Sequence, residues 1–258
     1  MMKYIEVKQT AKYLDIILNR IDKHNAFDEV MIEEITSVFE TITTETTLHL
    51  VRISAHGKSF CAGADLNWMK KMKSYTFEEN KKDSSLLQRM FCAIDNCPIP
   101  VIAKVHGSVL GGGTGIVACA DYVLASSDSQ FAFSEVKLGL IPAIISPFVA
   151  SKIGVSHARA LFLSGEVFDA SKAHAIGLVH DYCGLEEIDS SWEKATQKYL
   201  VGSLDAVKNA KKLLKNVLVQ EKASDYFVEM ISAQRISEEA QEGMLALLEK
   251  RKPIWSHK

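Results

Sequence analysis

Apolar and polar residues alternate through Tyr4–Val7 and Tyr13–Asn19, and that period of two predicts paired strands turning at "KQTA". Val30, Ile32, Ile35, Val38, Phe39 and Ile42 then fall at helical spacing, with Asp28 as the expected cap. "LHLVRISA" reads as a strand, "GKSFCAGAD" as a glycine-punctuated loop and "LNWMKKMKSY" as the start of a helix. That helix is expected to continue through "FEENKKDSSLLQRMFCAIDN" as far as Pro98. "PVIAKVHG" is a short buried strand, "TGIVACAD" a buried helix, and "YVLASS" and "QFAF" are two more strands.

Strand, glycine loop and helix therefore occur in that order twice, over Leu48–Met72 and Pro100–Asp121. The recurrence predicts an α/β fold of stacked β-β-α turns rather than a doubly wound sheet with a single crevice. From about Ser190 the pattern is helical, through "SWEKATQKYLVGS", "LDAVKNAKKLLKNVL" and "DYFVEMISAQRISEEAQEGMLALLEKRK". We expect a core over residues 1–190 and a helical region over 191–258, with no low-complexity linker between them. The apolar faces of those last helices need burial against the core or another subunit.

Composition narrows the function classes. The chain has 258 residues, 47% of them hydrophobic and 24% charged, with a net formal charge of −2. That near-neutral balance argues against a nucleic-acid or anionic-membrane partner. The N-terminus has no basic head followed by an apolar run, so no signal peptide is predicted. No stretch reaches the roughly 18 apolar residues of a membrane span. The five cysteines, Cys61, Cys92, Cys97, Cys119 and Cys183, form no CxxC pair and no Cys/His cluster with metal spacing. Reduced thiols in a cytoplasmic protein, and no metal, are the expectation.

The candidate chemistry lies in two glycine loops. "CAGAD" (Cys61–Asp65) and "LGGGTG" (Leu110–Gly115) each follow a strand and precede a helix. Helix N-termini offer unpaired N–H groups and positive partial charge, so two of them aimed at one point would form an oxyanion hole. Each loop alone reads equally as a tight turn with close packing. Other motifs fail on spacing: no Lys-Ser/Thr follows Gly112 as a P-loop requires, and no GxSxG elbow is present. Gly113, Gly115 and Ala118 match part of a dinucleotide fingerprint, but without the first-strand βαβ context that gives it meaning.

Taken together, "SFCAGADLNWM", "PVIAKVHGSVLGGGTGIVACADYVLAS" and "SQFAFSEVKLGLIP" resemble three consecutive signatures of the crotonase, or enoyl-CoA hydratase/isomerase, family. The resemblance extends through "LSGEVFDASKAHAIGLV" to "EGMLALLEKRKPIW" and so covers essentially the whole chain. It implies a spiral of β-β-α turns, a C-terminal helical region that builds homotrimers or hexamers, and an acyl-CoA thioester as substrate. Coenzyme A is then part of the substrate, and no separate cofactor is implied. The thioester oxygen would sit between the N–H groups of Ala64 and Gly112. The resemblance assigns substrate or CoA contacts to Ala26, Ala62, Asp65, Leu66, Gly111 and Lys250. Lys70, Lys71 and Lys73 are either further phosphate contacts or a solvated helix face.

An enolate also needs a proton donor or acceptor. Hydratases of the family carry two glutamates; one position is Gly115 here, and the other is Glu135. Glu135 follows a Phe-Ala-Phe strand, where partial desolvation would raise its pKa. The finer resemblance, through "GGGTGIVACAD" and "SEVKLGLIPAIISPFV", is to bacterial methylglutaconyl-CoA hydratase-like members. The expected function is therefore an enoyl-CoA hydratase with Glu135 as sole acid/base, Gly115 widening the acyl pocket and residues 141–145 walling it. The alternatives are a Δ3-Δ2-enoyl-CoA isomerase and a catalytically weakened acyl-CoA-binding relative. His106 and Asp121 read as structural residues.

Overall fold

The computed structural model describes residues 2–217 and 225–257. Its main sheet begins with β1 (Ile5–Gln9) and β2 (Tyr13–Leu18), an antiparallel pair. β3 (Leu50–Ala55), β4 (Val101–Val105), β6 (Tyr122–Ser126) and β9 (Asp181–Cys183) add to β2 in parallel, giving the order β1-β2-β3-β4-β6-β9. A smaller sheet holds β5 (Ser108–Leu110), β7 (Gln130–Ala132) and β8 (Val167–Asp169) in the order β5-β7-β8.

Each turn of the spiral places one strand in the large sheet, one in the small sheet and then a helix. The second turn runs β4, β5 and α4 (Gly112–Cys119); the third runs β6, β7 and α5 (Ser146–Ser164). In the first turn the second strand shrinks to a single bridge, Cys61 beside Val109, before α2 (Leu66–Met72) and α3 (Phe77–Asp95). The helix expected to run unbroken to Pro98 is therefore two helices. Thr76 starts the second with a reciprocal capping box to Glu79, which satisfies N–H groups that a continuous helix would have used internally.

At its centre both faces of the large sheet are covered, which is why β3, β4 and β6 read as near-continuous apolar runs while β1 and β2 alternate. Val51, Ile53, Val101, Ala103, Val105 and Val123 face a core shared with α1 (Glu29–Glu40), α3 and α4. Leu50, Ile102 and Leu124 face the other way, against Ile188, Trp192 and Leu200. Ile188 and Trp192 belong to α7 (Ile188–Tyr199), so the expected division at 190/191 falls inside a helix that packs on the sheet. Asp28 caps α1 as expected, its Oδ1 accepting from the Met31 N–H at 3.0 Å.

The region after α7 is helical, with α8 (Leu204–Asn216), α9 (Asp225–Ile236) and α10 (Glu238–Leu248). Ser237 separates the last two by capping Ala240, so the long C-terminal stretch is two helices rather than one. Leu218, expected to close α8, lies outside the described residues. The elements β5, β8, β9, α5 and α6 (Ala170–Ala175), the last capped by Asp169, had no sequence expectation.

Candidate active site

The two glycine loops lie edge to edge. The Cys61 N–H donates to the Ser108 carbonyl at 3.0 Å, and the Leu110 N–H donates to the Cys61 carbonyl at 2.9 Å. On the other edge, residues 24–27 close against the same loop. Phe27 N–H donates to the Gly63 carbonyl at 2.8 Å, Asp65 N–H to the Phe27 carbonyl at 2.8 Å, and Ala62 N–H to the His24 carbonyl at 3.0 Å. Residues flanking Ala64 thus face Phe27, and alternation along an extended chain turns the Ala64 N–H the other way, toward the β5–α4 turn. No acceptor among the described residues takes it.

Gly112 opens α4, so its N–H has no intrahelical acceptor. Gly111 precedes it at φ 50°, ψ −116°, a conformation open to glycine and strained for other residues. A Cβ on Gly111 would lie 3.8 Å from the Gly63 Cα and 3.6 Å from Glu135 Oε1. One turn therefore adjoins both the other glycine loop and the candidate carboxylate.

Glu135 begins a short 3₁₀ turn, Glu135–Leu138, after β7. Its Oε2 is buried with no hydrogen-bond partner among the described residues. Burial pushes the carboxyl above its ordinary value, and a bond from its own backbone N–H only partly opposes the shift. A half-buried, unpaired carboxylic acid beside two free N–H groups is equipped to take and return a proton next to a polarised carbonyl.

Gly115 does not widen a pocket. A Cβ there would meet Ile145 Cγ2 at 2.6 Å and the Phe91 ring at 2.7 Å. Phe91 is fully buried and Ile145 nearly so, and they fill the volume a larger side chain would need. Gly112 and Gly113 are similarly confined: a Cβ on Gly112 would meet the Phe27 ring at 2.6 Å, and one on Gly113 would meet Cys61 Cβ at 2.9 Å. Each of these glycines is there because a different neighbour presses on it. Of the apolar run expected to wall the acyl pocket, Ile145 reaches this helix, whereas Ile141 is exposed to solvent.

The remaining candidates fall around this centre or apart from it. Leu66 starts α2 and is 74% exposed, next to the exposed Ala64, so the site opens to solvent there. Ala26 is buried and its carbonyl accepts from Arg20 at 2.8 Å; Ala62 is half-buried. The Asp65 side chain is buried: Oδ1 caps α2 through Asn67 and Trp68, and Oδ2 pairs with Arg20 at 3.0 Å. Burial alone would raise its pKa, but those two N–H groups and the guanidinium outweigh it and hold the carboxyl below its usual value. Lys71 pairs with Glu29 at 2.7 Å, while Lys70 and Lys73 are exposed with no described ion pair. Lys250 follows α10, exposed, and no described contact joins it to residues 62–66, 111–112 or 135. His106 bonds the Gly57 carbonyl at 2.9 Å, and Asp121 accepts from Val101 N–H at 2.7 Å; both are structural.

A family model described as enoyl-CoA hydratase/isomerase matches residues 8–258. The chain belongs to that family. Its fold is the crotonase fold: an enoyl-CoA hydratase from Shewanella pealeana superposes with a TM-score of 0.93 at 38% identity, covering 98% of this chain and 96% of that one. A curated enoyl-CoA hydratase of Alternaria alternata is 35% identical over 175 residues, 68% of this chain and 57% of that protein. The chain thus spans little more than half the length of that relative. A trans-2-decenoyl-[acyl-carrier-protein] isomerase of Streptococcus mutans is 26% identical over 94% of both chains. Sequence reading missed Arg20 and Phe91, neither of which carries a local signal of its place beside the site.

Proposed function

We propose that this chain is an enoyl-CoA hydratase working through an enolate, with Glu135 as its single acid/base. The observation that carries the reading is the unpartnered, buried Glu135 Oε2 beside a turn whose neighbouring N–H groups, on Ala64 and Gly112, are free. The thioester carbonyl oxygen accepts from those two N–H groups. Glu135 takes a proton from water, the water oxygen bonds to Cβ, and the π electrons move to the thioester oxygen. The proton on Glu135 then returns to Cα as the carbonyl re-forms. Loss of one such N–H donor typically costs about 10²–10³ in rate.

The substrate class is an α,β-unsaturated acyl-CoA, with a branched, methylglutaconyl-like acyl group as the finer reading. Backbone groups of residues 24–27, with Ala62, Leu66 and Gly111, line the CoA arm, and Lys250 approaches the phosphates in its own subunit or a neighbour's. Assembly as a trimer or hexamer fits the exposed Leu247, Leu248 and Ile236 of the last helices. A reducing cytoplasmic setting fits the five free thiols.

One observation favours a second reading, a Δ3-Δ2-enoyl-CoA isomerase. Position 115 offers no carboxylate and its surroundings are apolar, and a 1,3-proton shift needs only one carboxylate. Incubation with matched 2-enoyl- and 3-enoyl-CoA thioesters, linear and branched, separates the two. Loss of the conjugated enoyl absorbance with a 3-hydroxyacyl product supports the hydratase; its gain from 3-enoyl-CoA, without hydration, supports the isomerase. Turnover of neither, with CoA thioesters still bound, overturns both.

A further inference from the structure

Asp65 is tied to a second carboxylate through one buried guanidinium. Arg20 Nη2 lies 3.0 Å from Asp65 Oδ2 and 3.1 Å from Asp28 Oδ2, and its Nη1 donates to the Ala26 carbonyl at 2.8 Å. The guanidinium stacks on the Tyr4 ring, 4.6 Å from its centroid, and only 9% of the Arg20 side chain is exposed. Asp28 caps α1, and Asp65 caps α2. Arg20 therefore joins two helix caps and one loop carbonyl at a single point. Asn25 fixes the same loop from below: at φ 55° its Oδ1 accepts from the Arg20 N–H at 2.7 Å, and its Nδ2 donates to the His56 and Ser59 carbonyls at 2.8 Å each.

These contacts bear on the N–H of the residue just before Asp65. Ala64 is held by one β-bridge and by the cap that follows it, and it carries no side-chain contact that could aim its N–H. Its direction is set by the peptide planes on either side, which the Phe27 bonds and Asp65 define. A buried charge that bridges two carboxylates resists displacement, because moving it would strand both.

We propose that Arg20 is a positioning residue for the oxyanion hole, holding the Ala64 N–H on the thioester oxygen through Asp65 while fixing the loop of Ala26 through Asp28. The inference rests on the reading of Ala64 and Gly112 as the donors. Arg20 touches no reacting atom; it acts through the cap. Lysine cannot replace it, since an ammonium lacks the planar fork that serves two carboxylates and a carbonyl together.

The test uses the full-length protein with butyryl-CoA, which binds but has no double bond to react. In the wild type the infrared stretch of the bound thioester carbonyl shifts to lower frequency as the two N–H groups polarise it. Arg20→Gln, Arg20→Lys and Asp65→Asn are then compared. Asp65→Asn keeps the Oδ1 cap of α2 and breaks only the link to Arg20, so it carries the test if Arg20→Gln does not fold. In each variant we expect most of the carbonyl shift to disappear and kcat on the accepted enoyl-CoA to fall about 10–100-fold, with KM changed less than threefold. The double variant Arg20→Gln/Asp65→Asn should be no slower than Arg20→Gln alone, because that substitution already removes the link to Asp65. Folded variants that keep the wild-type carbonyl shift and kcat, or lose only thermal stability, overturn the inference. A wild type without any carbonyl shift overturns instead the functional reading on which it rests.

Discussion

At the scale of single residues the site turns on Glu135. Burial favours its protonated form, so the native state binds its proton more tightly than the unfolded chain does. The sign follows: this group's contribution to stability is most favourable below the unfolded carboxylate range and is lost as pH rises through the higher folded value. Glu135→Gln should therefore raise the melting temperature by about 1–3 °C at neutral pH, with the gain vanishing in acid. The same substitution should lower kcat by about 10²–10⁴ with KM nearly unchanged, as steady-state kinetics on an accepted enoyl-CoA would read. The acid limb of the wild-type rate profile should follow one ionisation above the usual carboxylate value. A variant that gains neither stability nor loses rate would place the acid/base elsewhere.

At the scale of elements, α4 shows how a short glycine-rich helix is shaped by what surrounds it. Its residues Gly113–Cys119 are all buried, and the rings of Phe27 and Phe91 lie where side chains at 112 and 115 would point. Gly115→Ala should cost about 1–3 kcal/mol in urea denaturation, from overpacking against Ile145 and Phe91. Gly115→Glu should cost more and bring no gain in hydration, because the existing frame has no room for a second carboxylate. α3 depends on a different device. Thr76→Ala removes the hydroxyl that accepts from the Glu79 N–H but leaves the Glu79 carboxylate on the N–H of residue 76; it should destabilise by about 1 kcal/mol, seen as a melting temperature about 2–4 °C lower, with kcat preserved.

At the scale of the whole molecule, the helical C-terminal region is locked to the sheet by charge as well as by apolar packing. Arg52, on β3, bonds Asp15 on β2 at 2.6 Å and Glu193 and Thr196 on α7 at 2.9 and 3.2 Å. Its guanidinium also lies 4.2 Å from the Tyr13 ring centroid. Arg52→Ala leaves Asp15 largely buried without its partner and should cost about 3–5 kcal/mol in chemical denaturation, whereas Arg52→Met with Asp15→Leu should recover much of that loss. On the edge of the core, α8 is fixed by lysines: Lys208 Nζ reaches the Thr44 and Thr46 carbonyls, and Lys211 reaches the Ile99 carbonyl and Asp121. The exposed apolar residues of α9 and α10 are left for other surfaces.

The alternation and helical spacing of the chain were enough to determine six strands, β1–β4, β6 and β7, the order of strand, glycine loop and helix, and the β-β-α repeat, because those signals are local; the three-residue strands β5, β8 and β9 were not expected. The ordered motifs carried the family, and they singled out Ala64, Gly112 and Glu135. Tertiary structure decided what local pattern cannot encode. The chain breaks at Lys73–Thr76 because a capping box satisfies the new helix end. The division at 190/191 runs through a helix because Trp192 has a sheet face to cover. Gly115 reads in sequence as a missing glutamate that leaves room for substrate; in the fold Phe91, from 24 positions earlier, and Ile145, from 30 later, already occupy that room. Arg20 had no local signature of its role, since the two carboxylates it joins are brought together only when residues 24–28 close against 62–65.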